Sequence, residues 1–186
     1  MGPRGPRKSA LLPALLVLGL SFGAAASVAV PLSFEEVVQR ADLIVEGRVA
    51  RVSSLTCADQ GRMLVETHVV LDVSQVHHGD PVAEVRFVLP GGRAGDRRRV
   101  VVGTPTFRVN EEVFAFFASN DGVLSLVGLA QGLYRVNRLR DGSAFAVRDL
   151  RDVALVRRGS VSHGERESIP LDELRAKIGR ALEDQR

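Results

Sequence analysis

Glu-Val-Phe-Ala-Phe-Phe-Ala, residues 112–118, stays apolar from Val113 onward at odd and even positions alike. Side chains of a strand alternate between two faces, so a run apolar on both predicts a strand covered on both sides. Asn120-Asp121-Gly122 follows it as a hairpin signal, because Asp-Gly supplies the positive φ of a tight turn, and leads into a second run at Val123–Val127. Further runs lie on either side. Leu43, Val45, Gly47 and Val49 alternate with Ile44, Glu46, Arg48 and Ala50, the pattern of a strand with one polar-biased face. From Met63 to Val76, Val65, Thr67, Val69, Leu71 and Val73 point one way and Glu66, His68, Asp72 and Ser74 the other. Val76 falls off that register, which predicts a bulge or bend near Ser74-Gln75. Val85, Phe87 and Leu89 mark a strand over Glu84–Leu89, and Gly132–Asn137 and Ser143–Arg148 form a pair joined by Asp141-Gly142.

Helices are predicted only at the margins. Ser33-Phe34-Glu35-Glu36 has the spacing of a capping box, with Val37, Val38 and Ala41 as the apolar face. Residues 157–168 are polar and predict a linker. Ile169-Pro170 then opens an amphipathic helix to about Leu182, whose stripe of Leu171, Leu174, Ile178 and Leu182 is expected to pack on the strands. The fold class that follows is mainly β: an OB-like closed or partly open antiparallel β-barrel with a short N-terminal helix and a C-terminal amphipathic helix, a β-sandwich being the alternative. The organisation expected is a leader over 1–29, a β-barrel domain over 30–150, and a linker with its helix over 151–186.

The leader sets the compartment. Arg4, Arg7 and Lys8 precede an apolar run from Leu11 to Phe22, and small residues follow, which is the pattern of a secretory signal peptide cleaved after Ala26 or Ala29. The run is shorter than the roughly 20 residues that span a bilayer and is interrupted by Pro13 and Gly19, although an uncleaved anchor is the alternative. The mature chain is expected to be secreted or periplasmic, without stable membrane insertion. The net charge of +3 and the pI near 9.7 change meaning accordingly. Three of the 25 basic residues lie in the leader and no acidic residue precedes Glu35, so its removal leaves 22 basic against 22 acidic. A neutral exported domain with no Trp and one Tyr excludes a nucleic-acid partner. The single Cys57, in a polar stretch from Ser53 to Gly61 that predicts a loop, cannot form an intramolecular disulfide, so stability must come from core burial.

The order of these elements carries a resemblance. Ala-Asp-Leu-Ile-Val-Glu-Gly-Arg-Val (41–49), Thr-His-Val-Val-Leu-Asp-Val-Ser-Gln-Val (67–76) ending in His-His-Gly-Asp, and Asn-Glu-Glu-Val-Phe-Ala-Phe-Phe (110–117) resemble exported bacterial proteins of unassigned function. More distantly they are similar to the netrin-like domains that include the tissue inhibitors of metalloproteinases, over about residues 34–137. That resemblance implies an OB-type barrel with flanking helices. It does not carry the inhibitory chemistry, which uses an N-terminal cysteine and a disulfide core; neither expected mature terminus here is Cys, and no functional residue is transferred.

Two constellations remain as candidates for chemistry. His77-His78 with Gly79-Asp80 is the most metal-like, although adjacent strand histidines face opposite ways and a zinc site needs three or four ligands. Pro90-Gly91-Gly92 opens an arginine-rich segment in which Arg93, Arg97, Arg98 and Arg99 present forks suited to carboxylates or phosphates, expected on a flexible loop. It lacks the Gly-Lys-Ser/Thr ending of a P-loop. Ser143 and Ser160 stand outside any nucleophile elbow, and Glu35-Glu36, Glu111-Glu112 and Asp172-Glu173 each have a structural reason. The expectation is a non-enzymatic binding domain without a cofactor, whose partner is a protein or an anionic glycan held by Arg93, Arg97, Arg98 and Arg99. The alternatives are a metal-dependent hydrolase or metal carrier using His77, His78 and Asp80, and a protease inhibitor by an atypical contact.

Overall fold

The computed structural model describes residues 29–157 and 160–185; the expected leader lies almost wholly outside them. In chain order the elements are α1 (Phe34–Gln39), β1 (Leu43–Asp59), β2 (Arg62–His78), β3 (Glu84–Pro90), β4 (Gly92–Ala94), β5 (Arg97–Arg99), β6 (Glu112–Asn120), β7 (Val123–Leu126), a 3-10 turn at Leu129–Gly132, β8 (Leu133–Arg138), β9 (Ala144–Asp149), β10 (Ala154–Arg157), β11 (Ser160–His163), β12 (Arg166–Pro170) and α2 (Leu171–Glu183). One antiparallel sheet runs β12-β9-β8-β6-β1-β2-β3, with β7 paired to β6, and β4-β5 and β10-β11 form two small ribbons.

The stretch at 113–117 explains the layering, since all five residues are fully buried. Val113, Ala115 and Phe117 enter one apolar cluster with Val45 and Val49 of β1, Leu71 of β2, Phe87 of β3 and Leu126 of β7. Phe114 and Phe116 face the other way, into a cluster with Ile44, Tyr134, Phe34 and Val38 of α1, and Leu171, Leu174 and Ile178 of α2. Each large side chain so buried contributes about 1.5–3 kcal/mol. The sheet is strongly curled: three strand spacings separate β6 from β3, about 14 Å if flat, yet the Phe87 and Phe117 ring centroids are 4.9 Å apart. Its ladder path is nevertheless open, for β12 and β3 end it and no ladder joins β3 to β7 among the described residues. A mainly β, antiparallel fold with two flanking helices therefore holds, without hydrogen-bonded closure into a barrel, and the sandwich alternative fits the layers.

Several local expectations hold. Ser33 Oγ accepts from the Glu36 amide and Glu36 accepts from the Ser33 amide, completing the capping box. Ladder partners pass from Glu46↔Gln75 to Gly47↔Val73, leaving Ser74 as a bulged residue whose hydroxyl donates to the Glu46 carbonyl. The stripe of α2 packs on the sheet rather than facing solvent.

Three expectations are corrected. Cys57 is not in a loop: β1 continues to Asp59 and turns only at Gln60-Gly61, with Cys57 opposite Leu64. A two-stranded arm satisfies its backbone by cross-strand pairing and needs no buried face, so Ser-Ser-Leu-Thr serves it well. The arginine segment is not a flexible loop but the ribbon β4-β5, turning at Gly95-Asp96. Much of the polar stretch expected as a linker is strand: β11 pairs with β10 over Ser160–His163, and β12 pairs with β9 along Arg166–Pro170 and brings the chain directly into α2.

Candidate functional site

The ribbon β4-β5 is seated against the start of the long arm. The Gly91 amide donates to the Val65 carbonyl at 2.8 Å, and the Thr67 hydroxyl donates to the Gly91 carbonyl at 2.7 Å. Gly92 then takes φ +128°, where a Cβ would collide with the Thr67 and Ser54 hydroxyl oxygens, so only glycine lets the ribbon lie this close. The register sets Gly92 against Arg99, Arg93 against Arg98, and Ala94 against Arg97. Like charges directly opposite one another across a ladder are destabilising. None of Arg93, Arg97, Arg98 and Arg99 makes an ion pair among the described residues. Among the described residues their one side-chain hydrogen bond runs from Arg93 Nε to the Gly95 carbonyl at 3.4 Å. Behind Arg93 and Arg98 lies a cavity of about 370 Å³, walled by Ser54, Thr67, Val101, Thr104 and Phe107. Thr104 Oγ1 is buried and has no hydrogen-bond partner among the described residues, a state that native structures keep rare.

The histidines belong to a different centre. His77 is the residue left unpaired where β2 slips a second time, between Val45↔Val76 and Ile44↔His78. Its ring stacks on Phe114 at 4.7 Å and its Nε2 lies 2.8 Å from Glu46 Oε1. Glu46, only 6% exposed, also accepts a bidentate fork from Arg175 of α2, Nε to Oε1 at 2.7 Å and NH2 to Oε2 at 2.8 Å. Arg175 NH1 donates in turn to Asp172 at 2.7 Å. Burial raises the Glu46 carboxyl, but hydrogen bonds and charge from Arg175 and His77 outweigh it and hold the group at about 2. The hydrogen bond to Glu46 raises Arg175, against the opposing effect of its burial.

Thus His77, His78 and Asp80 are not brought together as a ligand set. His78 and Asp80 are exposed at the end of β2 and in the turn beyond it, while His77 turns inward to Glu46. No group of three or more His, Cys, Asp and Glu side chains able to hold a metal occurs among the described residues. The carboxylate pairs are likewise engaged: Glu111 with Arg135, Glu112 with both Arg48 and Arg138, Asp172 with Arg175. Ser143 Oγ donates to Asp141 within its own turn. Sequence reading missed Glu46 and Arg175, which lie 129 residues apart. The available signals were a lone acid among apolar neighbours in β1 and an arginine beside the apolar stripe of α2.

No protein-family model matches the chain, and no curated protein or solved structure matches it either.

Proposed function

We propose that this chain is an exported, non-enzymatic binding domain whose partner presents negative charge to the β4-β5 ribbon. The observation that carries the reading is Arg93 standing opposite Arg98 with no ion pair at either among the described residues. Elsewhere Arg40, Arg48, Arg86, Arg135, Arg138, Arg148, Arg151 and Arg175 have acidic partners. Arg51, Arg62, Arg108, Arg140, Arg166 and Arg180 are likewise without an ion pair, but among the described residues four such arginines fall within seven positions on this ribbon alone, two of them directly opposite each other. The curled sheet, with Phe87 reaching Phe117, supports a partly open OB-like barrel as the scaffold, in keeping with the netrin-like resemblance. Export follows from the leader pattern.

Reversing charge at Arg97, Arg98 and Arg99 tests the reading. Capture of an acidic partner from culture fluid or periplasmic extract should fall, and the salt dependence of wild-type capture should flatten in the variant. Capture that is unchanged in amount and in salt dependence removes the ribbon as the binding surface.

A further inference from the structure

The hydrogen-bond chain in the cavity wall has a fixed direction. A carbonyl cannot donate, so the single Thr67 hydroxyl proton is committed to the Gly91 carbonyl. The contact of 3.0 Å between Ser54 Oγ and Thr67 Oγ1 must then be a donation from Ser54 to Thr67. Ser54 is left with acceptor lone pairs only. The cavity therefore presents two unlike faces: guanidinium donors at Arg93 and Arg98, and a hydroxyl acceptor at Ser54.

A sulfate dianion or a bare carboxylate satisfies the first face and has no proton for the second. A sugar acid satisfies both, because its carboxylate and its hydroxyls sit on neighbouring carbons of one ring. Its C–H faces also suit the apolar part of the wall at Val101 and Phe107, and the volume of about 370 Å³ is at the small end of ligand pockets.

We propose that this cavity binds the uronate unit of an acidic glycan, its carboxylate gripped by Arg93 and Arg98 and a ring hydroxyl donating to Ser54 Oγ. The assignment rests on the ribbon being an anion-binding surface, and its test separates the two claims. Calorimetric titration of the purified protein would use three probes: trigalacturonate, the neutral trigalactose, and hexaglutamate. Trigalacturonate should bind and trigalactose should not. Arg93→Gln with Arg98→Gln should weaken trigalacturonate about 100-fold, near tenfold for each charge-assisted bond removed. Ser54→Ala should weaken trigalacturonate about fivefold, the effect of one neutral hydrogen bond, and leave hexaglutamate binding unchanged. Amide shifts at Gly91, Gly92 and Thr104 on adding trigalacturonate to the wild-type protein give a second readout that needs no variant. Hexaglutamate binding as tightly as trigalacturonate, with Ser54→Ala affecting neither, overturns the saccharide assignment while leaving the anionic surface standing. Absence of binding by both acidic probes overturns the two together.

Discussion

Arg175 and Arg98 are the same side chain used in opposite ways. Arg175 reaches from α2 into the sheet, where its fork closes on a buried carboxylate that also meets His77. Arg98 stands exposed on a ribbon, opposite another arginine, with no ion pair among the described residues. The first arrangement uses charge to fix one element of the fold on another. The second keeps charge unspent at a cost in local stability. Exposure alone does not separate them, since Arg86 is more exposed than Arg175 and is still paired, with Glu84. What separates them is whether the fold itself supplies the counter-charge.

The comparison breaks most readily at Arg175. Arg175→Met should cost about 3 kcal/mol in denaturant unfolding, the low end for removing one partner of a buried charge, because His77 still meets Glu46 and the arginine side chain is itself a third exposed. Arg97→Gln should change stability by no more than about 0.5 kcal/mol. Equal costs at the two positions would erase the distinction.

Acid sharpens the same contrast. Glu46 is held at about 2, below the 4.5 of a free carboxyl, so its stabilisation is fully present above about pH 4.5 and is lost as the pH falls toward 2. The loss should reach up to about 3 kcal/mol, and Glu46→Gln should remove that part of the pH dependence. Melting curves of both proteins across this window decide it. An identical acid profile for wild type and variant would show that Glu46 does not anchor α2.

Smaller effects are expected at the ribbon. Gly92→Ala places a Cβ at φ +128° against the Ser54 and Thr67 hydroxyls. It should cost about 1–2 kcal/mol and weaken anion binding together. Arg98→Glu should do the reverse to stability, gaining about 0.5 kcal/mol by converting a like-charge cross-strand pair into an opposite one, while binding falls. A change that stabilises the protein and damages binding is the signature of charge kept for a partner; a loss of both would assign Arg98 to the fold.

Much of the scaffold was legible in the sequence because it depends on local pattern. Two-sided apolarity placed 113–117 at the centre, the slip of Val76 announced the Ser74 bulge, and Ser33 with Glu36 declared the capping box. The misreadings arose where polarity was taken for irregularity. The arm around Cys57 and the β12 segment are polar because they pair at the ladder without entering the core at every second residue. The sites were less legible still. Four arginines in seven residues were visible at once, but their lack of partners depends on what lies opposite, and register decides that. His77 looked metal-like beside His78, yet its partner is a glutamate in the preceding strand, 31 residues earlier, that only the fold brings near.

The most direct test follows every arginine at once. Nitrogen-detected NMR of the side-chain Nε–H groups, recorded while galacturonate is titrated into the wild-type protein, reports both regions in one experiment. The signals of Arg93 and Arg98 are predicted to shift and saturate together, while Arg175 stays where it is. Motionless ribbon signals, or an Arg175 that shifts as far as they do, would contradict the division of the arginines into those the fold neutralises and those it leaves for a partner.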